Sequence, residues 1–311
     1  MSFTRALKFQ LPMMRGQDVL DMQLRLKKLN MHGLGQPDGL YGAATDVAVR
    51  EFQSAHGLND DGIVGTKTWS AMFGDSPSAT AAPTLRLSTD WLQPLQDIHG
   101  YDPAGVQWCL TADGLRVLPD AAAKGSGGEP QTVRRVWQEF GGSIKNWSAK
   151  FSVPAELIIA TICTESSGKP SAKREEPGFK SVASTPNRIS TGLMQTLVST
   201  ARATLNRDDI DDGWLLQPEN SIQAGTSYIA DQRRITGFDP PKVACAYNAG
   251  GVYKNASQNN RWRMRQYPIG TGEHCDRYVK WFNDCFLMFK KDGGAPDNSF
   301  YALLNKTDSH G

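Results

Sequence analysis

The sequence predicts a mainly α-helical chain in two parts, a small three-helix module followed by a larger helical domain. Three observations carry this reading. A turn motif is echoed within the first 75 residues and flanked by helically spaced apolar residues. A stretch rich in Ser, Ala, Thr and Pro then interrupts all periodicity, and apolar stripes of helical period recur from Val133 to Phe289. A chain of 311 residues has room for two domains and a well-buried core.

In the first part, the turn Asp38-Gly39-Leu40-Tyr41-Gly42-Ala43-Ala44-Thr45 is matched by Asp61-Gly62-Ile63-Val64-Gly65-Thr66-Lys67-Thr68, an offset of 61 − 38 = 23 residues. Asp-Gly makes each turn tight, the second Gly lets the backbone bend closely, and a helix begins near the Thr. Val19, Met22, Leu26 and Leu29 give a helical stripe before the first copy; Ala48 and Phe52 follow it, and Trp69, Met72 and Phe73 follow the second. From Gly74 to Thr89 the composition is that of a linker. Beyond it, Val106–Leu110 and Leu115–Leu118 flank Ala112-Asp113-Gly114, a hairpin turn in a small lead-in segment. Gly125-Ser126-Gly127-Gly128 reads as a loop, without the preceding strand and following Lys-Ser/Thr of a phosphate-binding loop.

Val133, Val136, Trp137 and Phe140 share one helical face, as do Trp281, Phe282, Cys285, Phe286 and Phe289. Between them, Ser152 to Gly168 organises the domain. Pro154 fits a first helical position with Ser152 or Val153 as the cap, Leu157, Ile158 and Ile162 form an apolar stripe, and Gly168 supplies a stop. A short buried helix therefore delivers Glu165 at its C-terminal end. The negative end of the helix dipole disfavours a carboxylate there, as a general acid requires, but by only about 0.3–1 kcal/mol and at most roughly 2. Raising a Glu to near 7 takes more than about 3 kcal/mol, so desolvation has to supply the rest. Lys169–Ser190, with no clear period, reads as a long loop beside this helix.

Composition excludes several functions. Lys plus Arg number 34 against 32 Asp plus Glu, a net charge of +2, which gives no reason to expect a nucleic-acid partner. The N-terminus carries no apolar run of signal-peptide length, and no stretch approaches the roughly 18 apolar residues of a membrane helix, so a soluble cytoplasmic product with no stable membrane insertion is expected. Five cysteines, odd in number and without metal-site spacing, read as mostly core thiols. His32, His56, His99, His274 and His310 are scattered, with no His-Glu-x-x-His pattern, so neither a metal nor a cofactor is expected. A thiol protease pairing Cys163 or Cys245 with His274 lacks a nucleophile signature.

Glu165-Ser166-Ser167-Gly168, Gly192-Leu193-Met194-Gln195 and Ala246-Tyr247-Asn248-Ala249-Gly250 follow in the order and approximate spacing of the lytic transglycosylase family related to goose-type lysozyme. The resemblance runs from about Val133 to Phe289 and includes Pro218-Glu219-Asn220 and Tyr228. Gly16, Asp18, Val19, Gln23, Leu26, Asp38, Gly39, Gly42, Thr45, Phe52, Gln53, Asp61, Gly62, Gly65, Thr68 and Trp69 resemble the peptidoglycan-binding domain of many cell-wall hydrolases. Together these imply a mainly α chain in which a three-helix peptidoglycan-binding module (1–75) is linked (76–89) to a larger lysozyme-like α domain (90–311, core 130–290).

By this resemblance Glu165 is the catalytic acid. Ser166 lies beside it, Met194 and Gln195 line the saccharide cleft, and Tyr247 with Asn248 sits across from it. Asp38, Tyr41 and Asp61 are wall-binding candidates, as exposed polar and aromatic groups near the turns. The implied reaction breaks the β-1,4 bond between N-acetylmuramic acid and N-acetylglucosamine. Glu165 protonates the leaving sugar and then takes the proton from the muramic C6 hydroxyl, which closes a 1,6-anhydro ring. A goose-lysozyme type of hydrolase is the alternative, with Glu175 or Glu176 as a second carboxylate holding a water; a non-catalytic, peptidoglycan-binding phage structural protein is another. A wall-binding module on a muralytic domain without an export signal resembles a modular phage endolysin. Such a protein is a monomer that acts on the periplasmic wall after release from the host cytoplasm by a separate holin.

Overall fold

Two glutamines organise the three helices of the N-terminal module: α1 (Gln17–Lys28), α2 (Ala43–Ala55) and α3 (Thr66–Phe73). The Gln23 amide donates to Asp38 Oδ1 (3.0 Å), the Leu40 carbonyl (2.9 Å) and Thr45 Oγ1 (2.9 Å), while its oxygen accepts the N–H groups of Asp38 and Gly39. Gln53 repeats the arrangement in the second turn, reaching Asp61 Oδ1 (3.1 Å), the Ile63 carbonyl (2.9 Å), Thr68 Oγ1 (3.1 Å) and the Gly62 N–H (2.9 Å). Each buried amide thus satisfies turn groups that would otherwise be orphaned. The echoed motif is a pair of glutamine-centred turns around a core of Leu7, Val19, Met22, Leu26, Tyr41, Val49, Phe52, Val64 and Met72.

Tyr41 does not sit on an exposed wall-binding surface. It is fully buried, and its hydroxyl donates to the Gly62 carbonyl at 2.8 Å, joining one turn to the other. Asp38 and Asp61 are exposed, but their carboxylates accept the N–H groups of Leu40 (2.9 Å) and Ile63 (2.8 Å) as well as the glutamine amides, so they shape the turns.

The computed structural model describes residues 5–10, 13–29, 31, 34, 37–73, 90–127 and 130–305. The expected linker lies outside the described residues from 76 to 89, as do Gly128, His32 and His310. The chain divides into two units, Met1–Ser88 and Thr89–Gly311.

The second unit opens with α4 (Gln93–Gln96) and a three-stranded antiparallel sheet, β1 (His99–Gly100), β2 (Gln107–Thr111) and β3 (Gly114–Val117), with the hairpin turn at Ala112–Asp113. Next come α5 (Gln131–Phe151) and α6 (Ala155–Ser166). The segment expected as a long loop carries β4 (Lys173–Glu175), which pairs with β5 (Ile189–Thr191), and β5 with β6 (Thr196–Leu197). Strands of two or three residues are too short for alternation to be read. Five helices follow: α7 (Val198–Leu205), α8 (Asp212–Leu216), α9 (Pro218–Asp231), α10 (Arg233–Thr236) and α11 (Pro240–Ala249). An irregular arm then leads to α12 (Glu273–Asp292) and α13 (Phe300–Asn305).

The helix α6 lies at the centre, packed against α5, α9, α11 and α12, and all of its residues but Glu165 are buried. Its cap stands one residue later than expected: Pro154 is the N-cap, and Ser152 ends α5 in the left-handed region. The core also extends past 130–290, since Leu92, Leu95, Trp108, Leu110 and Leu115 join it from one side and Phe300 from the other. Buried Asp239 fastens the lead-in sheet to the start of α11, accepting from Trp108 Nε1 (2.8 Å), His99 Nε2 (3.0 Å) and Lys242 Nζ (3.2 Å). All five cysteines are free and buried.

Glu156, fully buried in the first turn of α6, accepts the N–H groups of Phe300 (2.9 Å) and Tyr301 (2.8 Å) at the start of α13. Removing it strands two buried donors. Glu156→Ala should destabilise the second unit by about 2–4 kcal/mol, read as a lower thermal midpoint. An unchanged midpoint would show that α13 is held by its apolar contacts alone.

Candidate active site

Glu165 stands at the last turn of α6, which ends with Ser167 (φ 53°) and Gly168 (φ 76°) in the left-handed region. A side chain at Gly168 would press within 2.7 Å of Val136 Cγ2 on α5, so both conformation and space require glycine. Arg135 on α5 donates to the carbonyls of Ser167 (2.6 Å) and Gly168 (3.3 Å) just past the helix end. The Glu165 side chain is 18 % exposed. Burial pushes its carboxyl up to about 7, opposed by the charges of Arg277 and Arg174. Desolvation therefore supplies the shift that the helix dipole could not.

Around the acid, hydroxyls tie the three sequence motifs together. Ser166 Oγ lies 2.7 Å from the Leu193 carbonyl and 3.1 Å from that of Ile162, and accepts the Gly168 N–H at 3.2 Å. The Tyr247 hydroxyl reaches the Met194 carbonyl and Thr196 Oγ1, each at 2.9 Å, with its ring edge-on to Tyr228 at 5.3 Å. Burial raises the Tyr247 phenol far above its ordinary value, and the Glu165 charge adds to this, so the two groups lie within electrostatic reach. Gly192 (φ 80°) brings the loop in; a Cβ there would stand 2.1 Å from the Leu215 carbonyl.

Two of the expected cleft contacts are otherwise engaged. Met194 does not line an open cleft; it is fully buried, and its sulfur lies so close to α9 that a Cβ on Gly225 would meet it at 2.5 Å. The Gln195 amide donates to the carbonyls of Ala172 (2.8 Å) and Gly192 (2.9 Å), and its oxygen accepts from Ser190 (3.2 Å), so it braces the loop against the small sheet. Asn248 Oδ1 accepts the Tyr267 N–H at 2.5 Å, fixing the arm that follows α11. Glu175 and Glu176 follow Arg174, at the end of exposed β4 and just past it; Glu176 pairs with Arg174 at 3.0 Å and Glu175 lies 4.0 Å from Lys173.

The structure adds neighbours that sequence reasoning passed over. His274, buried on α12, places Nε2 3.6 Å from Glu165 Oε1, and Arg277 lies one turn further along the helix. Burial pushes the imidazole down to about 4, with Arg277 adding to the fall and the Ala244 backbone opposing it, so the ring is neutral near pH 7. The available signal was a histidine three residues before an arginine on an otherwise apolar helix face, which is too weak to read alone. Among the described residues no cluster suited to a metal ion occurs.

Residues 15–72 match the peptidoglycan binding domain family, and residues 142–267 match the transglycosylase SLT domain family. The chain thus carries a peptidoglycan-binding module followed by an SLT domain. Among curated proteins, the spore cortex-lytic enzyme of Bacillus cereus is 45 % identical over 53 residues, 17 % of this chain and 20 % of that enzyme. The Bacillus subtilis (strain 168) enzyme of the same name is 48 % identical over 54 residues, 17 % of each chain. The chain therefore spans about a fifth or less of these relatives. Among solved structures, the lytic transglycosylase Slt of Pseudomonas aeruginosa is similar at a TM-score of 0.38 and 16 % identity, over 54 % of this chain and 27 % of that one. A Burkholderia AP3 phage endolysin is similar at 0.27 and 17 %, over 89 % and 99 %.

The raised carboxyl fixes a sign for stability. Folded Glu165 holds its proton up to about 7 against 4.5 for an unperturbed Glu, so its contribution is present below the lower value and is lost as pH rises through the upper. Glu165→Gln cannot ionise and should gain on the wild type by about 2–3 kcal/mol between pH 5 and 8. Thermal midpoints of both proteins at the two pH values check this. A constant difference would show that Glu165 is not desolvated.

Proposed function

We propose that the chain is a peptidoglycan lytic transglycosylase, with Glu165 as its single acid and base. The observation that carries the reading is the environment of this carboxyl: shielded, shifted to about 7, and flanked by Arg277, Arg174 and a neutral His274. Such a group is protonated often enough at neutral pH to donate and basic enough afterwards to accept. Glu165 gives its proton to the oxygen between N-acetylmuramic acid and N-acetylglucosamine as the glycosidic bond breaks. The resulting carboxylate takes the C6 hydroxyl proton as that oxygen bonds to the anomeric carbon, leaving a 1,6-anhydro end. No water enters the balance.

Hydrolysis would call for a second carboxylate opposite the acid. Glu175 and Glu176 are poorly suited to hold that water, the first lying on exposed β4 and the second just past it, each near a cation of its own segment. The N-terminal module is read as a wall anchor that raises the local concentration of the SLT domain on insoluble substrate. No described helix is long and apolar enough to cross a membrane. We further assign the chain to bacterial lysis as a monomeric endolysin, reaching the wall with the help of a separate holin.

Glu165→Gln keeps size and polarity but removes the transferable proton. It should cost at least about 10²- to 10⁴-fold in lysis of outer-membrane-stripped cells, while Glu175→Gln and Glu176→Gln stay near wild type. Near-normal lysis by folded Glu165→Gln would remove Glu165 from its role; large losses at Glu175 or Glu176 would favour the hydrolase. Residues 1–75 alone should sediment with purified sacculi without cleaving them, and a fragment left in the supernatant would end the targeting assignment.

A further inference from the structure

The contact between His274 and Glu165 belongs to neither the sequence motifs nor the reaction as described above. Both side chains are shielded, 5 % and 18 % exposed, and His274 Nε2 is the nitrogen that faces Glu165 Oε1, at 3.6 Å. Among the described residues neither Glu165 oxygen is held by a hydrogen bond, in contrast to the doubly bonded Glu156 on the same helix. What the imidazole presents to the acid depends on its tautomer, and a neutral ring has one N–H and one lone pair to place. Of the groups acting on the ring, the Ala244 backbone on α11 is the one that favours its protonated form.

We propose that His274 is the positioning residue of the acid: its Nδ1–H is given to the Ala244 carbonyl, and the bare lone pair of Nε2 is turned on Glu165 Oε1. At 3.6 Å the lone pair acts through its field rather than a hydrogen bond, favouring the carboxylic acid and repelling a carboxylate. The same contact therefore keeps Glu165 loaded before glycosidic cleavage and makes it the stronger base when it takes the C6 hydroxyl proton.

The other groups around Glu165 leave this task to His274. From α12, Arg277 favours the carboxylate and at the same time opposes protonation of His274, which keeps the pair's one proton on the acid. From β4, Arg174 also favours the carboxylate but is itself paired with Glu176. From α11, Tyr247 has its hydroxyl engaged by Met194 and Thr196.

The inference rests on Glu165 being the acid, so its test separates the two. In the full-length protein labelled with ¹⁵N-histidine and side-chain ¹³C-glutamate, NMR without substrate reports the His274 tautomer and the Glu165 titration directly. The expected result is a neutral Nδ1–H ring from pH 5 to 8. In His274→Gln an amide N–H₂ stands where the lone pair was, and the Glu165 midpoint should fall by about one unit. That fall corresponds to about a fivefold loss of protonated acid at pH 7, with the basic limb of the pH–rate profile on sacculi moving by the same amount and KM unchanged. An Nε2–H tautomer in the wild type, or an unmoved Glu165 midpoint in a folded variant, overturns the proposal. Should the variant fail to fold, the wild-type tautomer still decides it. If the titrations behave as expected but sacculi are not cleaved, the positioning contact stands and the assigned reaction falls.

Discussion

Ionising a carboxyl away from water costs several kcal/mol unless the charge finds partners, and the second unit places two carboxyls, Glu156 and Glu165, on one central helix. Both are pushed to about 7, chiefly by burial. They differ in what surrounds them. Glu156 accepts two backbone N–H groups and fastens α13 to the core. Glu165, at the other end, meets a neutral ring nitrogen at 3.6 Å and the fields of two arginines. An equally desolvated group is a structural staple in one place and a reservoir of chemical potential in the other, according to its hydrogen bonds.

Keeping Glu165 in that condition requires rigid surroundings, and most of the motif residues provide these. Ser166 ties the end of α6 to Leu193, Tyr247 ties α11 to Met194 and Thr196, and Gln195 braces the same loop against Ala172. Because all of these but the Tyr247–Thr196 bond end on backbone carbonyls, a small change in any one helix is felt by the loop facing the acid. Asp239 extends the network to the lead-in sheet through Trp108 and His99, which is why residues before 130 belong to the same core. A motif that pairs an acid with serine, tyrosine and glutamine is thus mostly a frame for one carboxyl.

The apolar periods make the helices and the position of Glu165 legible, because α5 and α12 each bury a face long enough to register as a stripe and α6 is apolar and buried nearly all round. The turn echo was equally legible, but its meaning was not. Tyr41 reads as an exposed aromatic beside a turn, whereas its hydroxyl spans to Gly62 in the core, a contact between residues 21 apart in different turns that no local pattern encodes. Met194 likewise reads as a cleft residue, whereas its packing depends on a glycine, Gly225, on a distant helix. His274 and Arg277 reach Glu165 only through the crossing of α12 over α6, so their part in the site had no sequence signature.

If one desolvated carboxyl both gives and takes the proton, oxygen from solvent never enters the product. Digesting purified sacculi in heavy-oxygen water and weighing the released muropeptides measures this directly. The account predicts unlabelled 1,6-anhydro-muramic ends, lighter by one water than reducing ends. Reducing muramic ends carrying the heavy oxygen would contradict it and place a water, and a base to hold it, opposite Glu165.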